Sequence, residues 1–397
     1  MSPQRIDIAR ARAETPGLQR VLHLNACGAG LMPAPVLQAL KDHLDAEALT
    51  GGYEAADEAE AAIEHSYDAL GRLLNASRDE IAIVENATVA WDMAFYGMRF
   101  QPGDRILTAI SEYASNFIAY LQVARRTGAI IDVIPNDEQG QVDVAALEGL
   151  IDDDVKLISI THVPTNGGLV NPAAAIGRVA RQAGIPYLLD ACQSAGQIPL
   201  DVEALGCDML TATGRKYLRG PRGTGFLYVR KSMLDRLEPP FLDLHAASWV
   251  APDRYELRPD ARRFENWENY VAGKIGLGVA VDYALGFGLE AINAYVAGLA
   301  EDLRGRLAAL PGAKVLDLGR ERCGIVSFAF EDAEPRALAA ALRKQNINIS
   351  TSSAFSTRID MEARDLPLIN RLGLHYYNDE KDLERLLAAI ETFRAGS

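Results

Sequence analysis

Thr211-Ala-Thr-Gly-Arg-Lys-Tyr-Leu-Arg-Gly-Pro-Arg-Gly-Thr-Gly225 carries one lysine and three arginines in a Gly/Pro-rich turn. The short apolar run Met209 to Thr213 leads in, and Phe226-Leu-Tyr-Val229 leads out. Four cations cannot be buried unpaired, so this segment is a poor core element. It suits a rigid strand–loop–strand that presents Lys216 to a cleft and surrounds an anion with arginine and backbone N–H groups. An exposed basic hairpin would look the same from this segment alone. The stretch upstream decides between them. Leu188-Leu-Asp-Ala-Cys-Gln-Ser194 is an apolar strand ending on an isolated carboxylate, Asp190. Three apolar residues before it make that carboxylate costly without a cationic partner.

A lysine able to form a Schiff base, a buried Asp for a pyridinium nitrogen and a phosphate cradle are the parts of a pyridoxal phosphate (PLP) site. The order Asp190-x-x-Gln193, Thr213-Gly-Arg-Lys216 and Gly220-Pro-Arg-Gly-Thr-Gly225 resembles the class V aminotransferase family of fold-type-I PLP enzymes. That group includes cysteine desulfurases, isopenicillin-N-epimerase-like proteins and sulfoxide C–S lyases. The resemblance runs from about Asn25 to Phe393 and implies PLP as cofactor, an amino acid as substrate and a homodimer with shared active sites.

Composition agrees with a large enzyme. The chain has 397 residues, 49% hydrophobic and 24% charged, enough for a substantial core and two structural units. With 40 basic against 54 acidic residues the net charge is −14, which disfavours nucleic acid or an anionic membrane as partner. No apolar run reaches transmembrane length, and the first residues have no signal-peptide core. Cys27, Cys192, Cys207 and Cys323 are scattered without zinc-type pairing. A reduced, cytoplasmic protein without a metal site is expected.

Strands alternating with helices predict an α/β fold: a large domain with about seven mostly parallel strands, then a small C-terminal α/β domain. The expected division is 1–34 as an N-terminal arm and active-site loop, 35–270 as the PLP-binding domain, and 271–397 as a linking helix and the small domain. Residues 1–22 read as a polar helical arm, and Pro35 to Leu74 as two helices with a break at Gly51-Gly52-Tyr53. In the small unit strands are expected at 314–317, 324–330, 347–352 and 372–377.

Motifs fall where strands end, the place where such sheets hold ligands. His23-Leu-Asn-Ala-Cys-Gly-Ala-Gly-Leu-Met-Pro33 marks a turn where backbone comes close to something; the resemblance puts it on the substrate side. Glu80 to Val84 reads as a strand running into a helix that begins near Asn86, whose free N–H groups would meet a phosphate. The resemblance assigns Ala87 and Thr88 to that phosphate, with Thr213 and Arg215 also on the cofactor. It lays Tyr113 flat on the pyridine ring and sets Asp190 against its nitrogen. Gln193, and Thr165 or Asn166, would reach the phenolic oxygen or the substrate. Arg371 would bind the substrate carboxylate, for which its planar fork is suited. His162 reads as a core histidine and Cys27 as a packing residue. In residues 238–270 the resemblance implies a loop shared with the neighbouring subunit, with Trp267 and Glu268 where the family has Gly-Thr.

Lys216 and Asp190 are thus the expected catalytic pair. Lys216 would bind PLP, yield to the substrate amine and then remove the Cα proton. Protonation on the cofactor would give aminotransfer, loss of a β-substituent a C–S lyase, and reprotonation at Cα a racemase. Cysteine desulfurases need a thiolate on a mobile loop, and the matching Ser350-Thr-Ser-Ser-Ala-Phe-Ser-Thr357 has none. A persulfide-forming desulfurase is therefore disfavoured, whereas a lyase that releases its sulfur product to solvent is not; the sequence favours aminotransfer on a small amino acid, with C–S lyase next. A non-catalytic binding protein is the remaining alternative, and the presence of Lys216, Asp190 and Arg371 together weighs against it.

Overall fold

The computed structural model describes residues 6–395. In chain order the strands are β1 (Leu22–His23), β2 (Ile81–Val84), β3 (Arg105–Ala109), β4 (Ile130–Ile134), β5 (Val155–Thr161), β6 (Tyr187–Asp190), β7 (Met209–Thr213) and β8 (Gly225–Val229). A hairpin of β9 (Ala247–Ala251) and β10 (Arg254–Leu257) follows, then β11 (Ala313–Val315), β12 (Ile325–Phe330), β13 (Ile347–Asn348), β14 (Ser350–Ser353) and β15 (Leu368–Gly373).

The large sheet has seven strands in the order β2-β8-β7-β6-β5-β3-β4. β8 alone runs against its neighbours; β7, β6, β5, β3 and β4 pair in parallel. The expected α/β fold with a mostly parallel, seven-stranded sheet is therefore present. Its strands are continuous apolar or β-branched runs because helices cover both faces. β6 and β7 are buried at every position, and β5 at all but Lys156. The carboxyl ends of β2, β3, β5, β6 and β7 lie at one edge, which collects Asn86, Glu112, Thr161, Asp190 and Thr213.

The smaller sheet is antiparallel, ordered β11-β12-β15-β14. β1 pairs in parallel with β13, so the start of the described chain is tied to the C-terminal unit. Helix Val271–Phe287 packs on helices Glu60–Leu74 and Ala34–Thr50. No single helix among the described residues is long and apolar enough to cross a membrane.

Four element expectations are corrected. The N-terminal arm is a short helix, Ile8–Ala13, and a 3-10 turn, Pro16–Gln19; residues 1–5 lie outside the described residues. Residues 35–74 form three helices, since Ala59 at φ −93°, ψ 7° parts Gly52–Glu58 from Glu60–Leu74. The strand expected at 347–352 is two, β13 and β14, which pair with different partners. The last strand is Leu368–Gly373 rather than 372–377, so Arg371 sits inside it. It starts after Pro367, and Asn378 Oδ1 accepts the His375 N–H at 3.0 Å, folding residues 375–378 into a turn.

Candidate active site

The hairpin β7–β8 delivers Lys216. Its connecting loop is closed by Gly214 N–H to Thr224 O (3.1 Å), Gly220 N–H to Gly214 O (2.8 Å) and Arg219 N–H to Lys216 O (3.1 Å). The loop Asn25–Gly30 lies against it, with Gly30 N–H on Arg215 O at 2.8 Å. A Cβ at Gly30 would stand 2.5 Å from Lys216 O, so only glycine fits there. Gly225 plays the same part at the start of β8: a Cβ would meet Asn86 C at 2.5 Å. Its absence brings the helix Ala87–Tyr96 flush against the hairpin.

These elements line one pocket at the carboxyl edge of the large sheet. Its walls include Ala87, Thr88, Tyr113, Thr165, Asp190, Gln193, Thr213, Arg215 and Lys216. All nine residues expected at the cofactor are thus together. Asn86, Thr161, Val163 and Cys192 complete the lining.

Asn86 caps the helix Ala87–Tyr96 by accepting the Val89 N–H at 3.0 Å. The amides of Ala87 and Thr88 have no acceptor within the helix, which leaves a positive end for an anion. Asp190 is buried at the end of β6; Oδ1 accepts the Cys192 N–H (2.9 Å) and Oδ2 accepts from Asn116 Nδ2 (3.0 Å). Gln193 Nε2 donates to Cys27 O (3.1 Å) and Thr165 Oγ1 (3.3 Å), while its buried Oε1 has no partner. An unsatisfied polar atom inside such a pocket fits a polar ligand. The Lys216 amine is pushed below its usual range first by burial, then by Arg215 and Arg371, against the opposing pull of Cys192 and Asp190. Arg215 donates to Gly28 O, on the loop expected at the substrate side.

The two residues expected at the substrate stand just behind this wall. Arg371 reaches Thr165 from β15. Asn166 Oδ1 accepts from Ser352 Oγ at 2.5 Å, and its buried Nδ2 has no partner. His162 lies in the core with Nδ1 on Ser194 Oγ at 3.0 Å, and burial pushes it down to about 4. Missing from the sequence reading are Asn116, which reaches Asp190 from the first turn of helix Ala114–Thr127, and Glu112, which precedes that helix and holds the Asn116 amide. The signal for them is a carboxylate at a strand end followed four residues later by an amide, one helical turn apart.

A buried carboxylate, a lysine of lowered basicity, an unpaired amide and a helix N-terminus facing one cavity fit PLP. Comparisons agree. The family description "Aminotransferase class-V" matches residues 23–386. A probable cysteine desulfurase of Methanothermobacter thermautotrophicus is 29% identical over 387 residues, 96% of each chain. The apo cysteine desulfurase of Thermococcus onnurineus superposes with TM-score 0.92 at 25% identity, covering 100% of both chains. The C-DES enzyme, solved with glycine covalently linked to its PLP cofactor, superposes with TM-score 0.85 at 26% identity, covering 96% and 98%. The same enzyme, called a cystine C–S lyase, has been solved with its product cysteine persulfide (TM-score 0.84). These relatives lie on the C–S-cleaving branch, and none of them supports the aminotransfer favoured from sequence. The chain is a PLP-dependent enzyme and belongs to the class V aminotransferase family.

Proposed function

We propose that this enzyme is a C–S lyase: it cleaves the Cβ–S bond of a cysteine-derived amino acid and releases the sulfur product to solution. The observation that carries this reading is that, among the described residues, the cysteine that lines the pocket, Cys192, is held as a protonated thiol. The segment after β14, Ala354-Phe-Ser-Thr357, holds serine, threonine and an 86%-exposed Phe355. It lies beside the pocket, since Ser356 O accepts the Ala114 N–H at 2.9 Å. Cys192 is the one cysteine lining the pocket, and burial followed by the charge of Asp190 pushes its thiol well above the usual range. A protonated, enclosed thiol is a poor acceptor of sulfur. The C–S lyase named among the relatives adds support.

In this reading Lys216 is the residue whose amine would hold PLP and would then take the Cα proton of the substrate. Bound PLP supplies the electron sink that makes that proton acidic. Asp190 would pair with the ring nitrogen and keep it protonated. Tyr113 covers the ring face. Ala87 and Thr88 amides, with Thr213 and Arg215, hold the phosphate. Gln193 and Thr165 address the phenolic oxygen. Arg371 takes the substrate carboxylate, with Asn166 beside it. The Cβ–S bond would break with its electron pair on sulfur, and the three-carbon remainder would leave as aminoacrylate, which water hydrolyses to pyruvate and ammonia.

We also read the protein as a homodimer whose sites are shared. The segment 241–267 exposes Phe241, Leu244, Trp249, Tyr255 and Trp267, each at least half exposed. Such a concentration of apolar side chains is unusual for a free surface. The four free cysteines fit a reducing, cytoplasmic setting.

Incubating the PLP-loaded protein with cystine, and separately with a cysteine sulfoxide, tests the reading. Pyruvate and ammonia in equal amounts are expected, with all sulfur in the small-molecule fraction and no turnover by Lys216→Ala. A keto acid that retains the substrate's side chain, with PLP converted to its amine form, would make the enzyme an aminotransferase. Sulfur bound to the protein would make it a persulfide-forming desulfurase.

A further inference from the structure

Glu112 has no place in the roles above. It follows β3, is 3% exposed, and its two oxygens collect five donors. Oε1 accepts from Thr161 Oγ1 (2.5 Å), the Tyr113 N–H (2.8 Å) and Asn116 Nδ2 (2.9 Å). Oε2 accepts from Thr108 Oγ1 (3.1 Å) and the Thr161 N–H (3.1 Å). Asn116, 4% exposed, spends its other amide hydrogen on Asp190 Oδ2 at 3.0 Å. One side chain thus grips β3, β5, the backbone of the pocket-lining Tyr113 and, through a single amide, the carboxylate of Asp190.

We infer that Glu112 is a positioning residue of the cofactor site, orienting Tyr113 through its N–H and Asp190 through Asn116. The inference rests on the placement of those two residues against the PLP ring proposed above. An amide between two carboxyl groups has little freedom, since each of its hydrogens has a fixed acceptor. Asp190 Oδ2 is thereby held in one orientation, and its remaining lone pairs are aimed at the pocket. Burial, with the charge of Asp190 adding to it, pushes Glu112 up to about 7, so the two carboxyls also feel one another electrostatically. A group that served only to join β3 to β5 would need neither Asn116 nor a link to the base of the pocket.

The test uses the full chain loaded with PLP. Glu112→Gln keeps the shape but turns one acceptor into a donor facing donors. Asn116→Leu keeps Glu112 and removes only the link. Three quantities are read: the absorption maximum of the Lys216-bound cofactor, the PLP dissociation constant, and the melting temperature of the cofactor-free protein. Both variants are expected to shift the visible band in the direction of an Asp190→Asn control. Both are also expected to weaken PLP binding about tenfold, the scale of one hydrogen bond to a charged group. The double variant should lose no more than the worse single one, because the residues act in series. If Asp190→Asn shifts the band while Asn116→Leu and Glu112→Gln leave band and affinity unchanged, Glu112 is only a fold element and the inference fails. If none of the three moves the band, the placement of Asp190 fails with it. Should Glu112→Gln not fold, Asn116→Leu decides alone.

Discussion

Arg371 donates one guanidinium nitrogen to both the backbone oxygen and the hydroxyl of Thr165, each at 2.8 Å. Its Nε donates to Ser350 Oγ at 3.1 Å. The contact joins β15 of the smaller sheet to a pocket wall of the larger one and fixes the fork before any ligand arrives. A pre-oriented guanidinium loses little entropy on taking a carboxylate. Arg371→Lys is therefore expected to raise KM for a cysteine-derived substrate by roughly 30- to 100-fold, with a smaller change in kcat. Thr165→Val keeps the backbone acceptor and should raise KM only about threefold to tenfold. Steady-state kinetics measure both, and an unchanged KM for Arg371→Lys would show that the carboxylate docks elsewhere.

Lys216 carries a prediction about pH. Burial lowers its affinity for a proton from the ordinary 10.5, and Arg215 and Arg371 lower it further. Only the neutral amine attacks an aldehyde, so Schiff-base formation speeds up as pH rises through the lowered pKa and then levels off. The rate of PLP uptake by cofactor-free protein, followed by absorbance, should level off below pH 10.5. Arg215→Leu removes one neighbouring cation and should move the midpoint upward. A rate that keeps climbing to pH 10.5 would mean that the lysine is not desolvated in solution.

Cys192 tests the fate of sulfur. Its thiol lines the pocket but is held protonated by burial and by Asp190. If sulfur leaves as a small molecule, Cys192→Ala should keep kcat within about threefold of wild type, since only a small packing change remains. Mass spectrometry of the wild-type protein during turnover should find no persulfide at this position. Loss of turnover in Cys192→Ala, with a persulfide on the wild-type residue, would make this cysteine a sulfur acceptor.

Much of this site was legible because its parts break local rules. A lysine with three arginines in a Gly/Pro turn, and a carboxylate closing an apolar strand, have few structural uses, so Lys216 and Asp190 stand out. Val155–Thr161 reads as a strand because burial on both faces favours apolar and β-branched residues, here Val155, Leu157, Ile158, Ile160 and Thr161. Glu112 breaks no such rule: an acid at a helix start is ordinary. Its meaning appears only when Thr161 arrives from 49 positions away. The last strand was misplaced because Leu372, Leu374 and Tyr376 alternate like a strand, whereas Asn378 folds that stretch into a turn. The reaction was the least legible part. Lysine, aspartate and arginine serve aminotransfer and C–S cleavage alike, so the choice between them rested on the relatives; the missing thiolate only separates release of sulfur to solution from persulfide formation on the protein.

Glu265 offers a stability prediction with a definite sign. The side chain is 1% exposed and accepts from the Ile83 N–H (2.7 Å), Tyr67 Oη (2.9 Å) and Lys274 Nζ (2.9 Å), with His245 Nε2 at 3.3 Å. Burial alone would push this carboxyl up, but Lys274, His245 and the Ile83 N–H outweigh it and hold it at about 2, against an ordinary 4.5. A folded-state pKa below the unfolded one adds stability that is complete above pH 4.5 and is lost as pH falls toward 2. The amount at stake is on the order of 3 kcal/mol. Urea unfolding between pH 7 and pH 2 should show that loss in the wild type. Glu265→Gln should flatten that part of the acid limb and destabilise the protein at pH 7 by about 3–5 kcal/mol, because Lys274 is left buried without its partner. Adding Lys274→Met should return part of the loss, since no uncompensated charge then remains. The Ile83 N–H belongs to β2, one residue before its end and three before the Asn86 cap. A wild-type acid limb as shallow as that of Glu265→Gln would mean that the ion pair does not form in solution, and that the base of the helix Ala87–Tyr96 is anchored by packing alone.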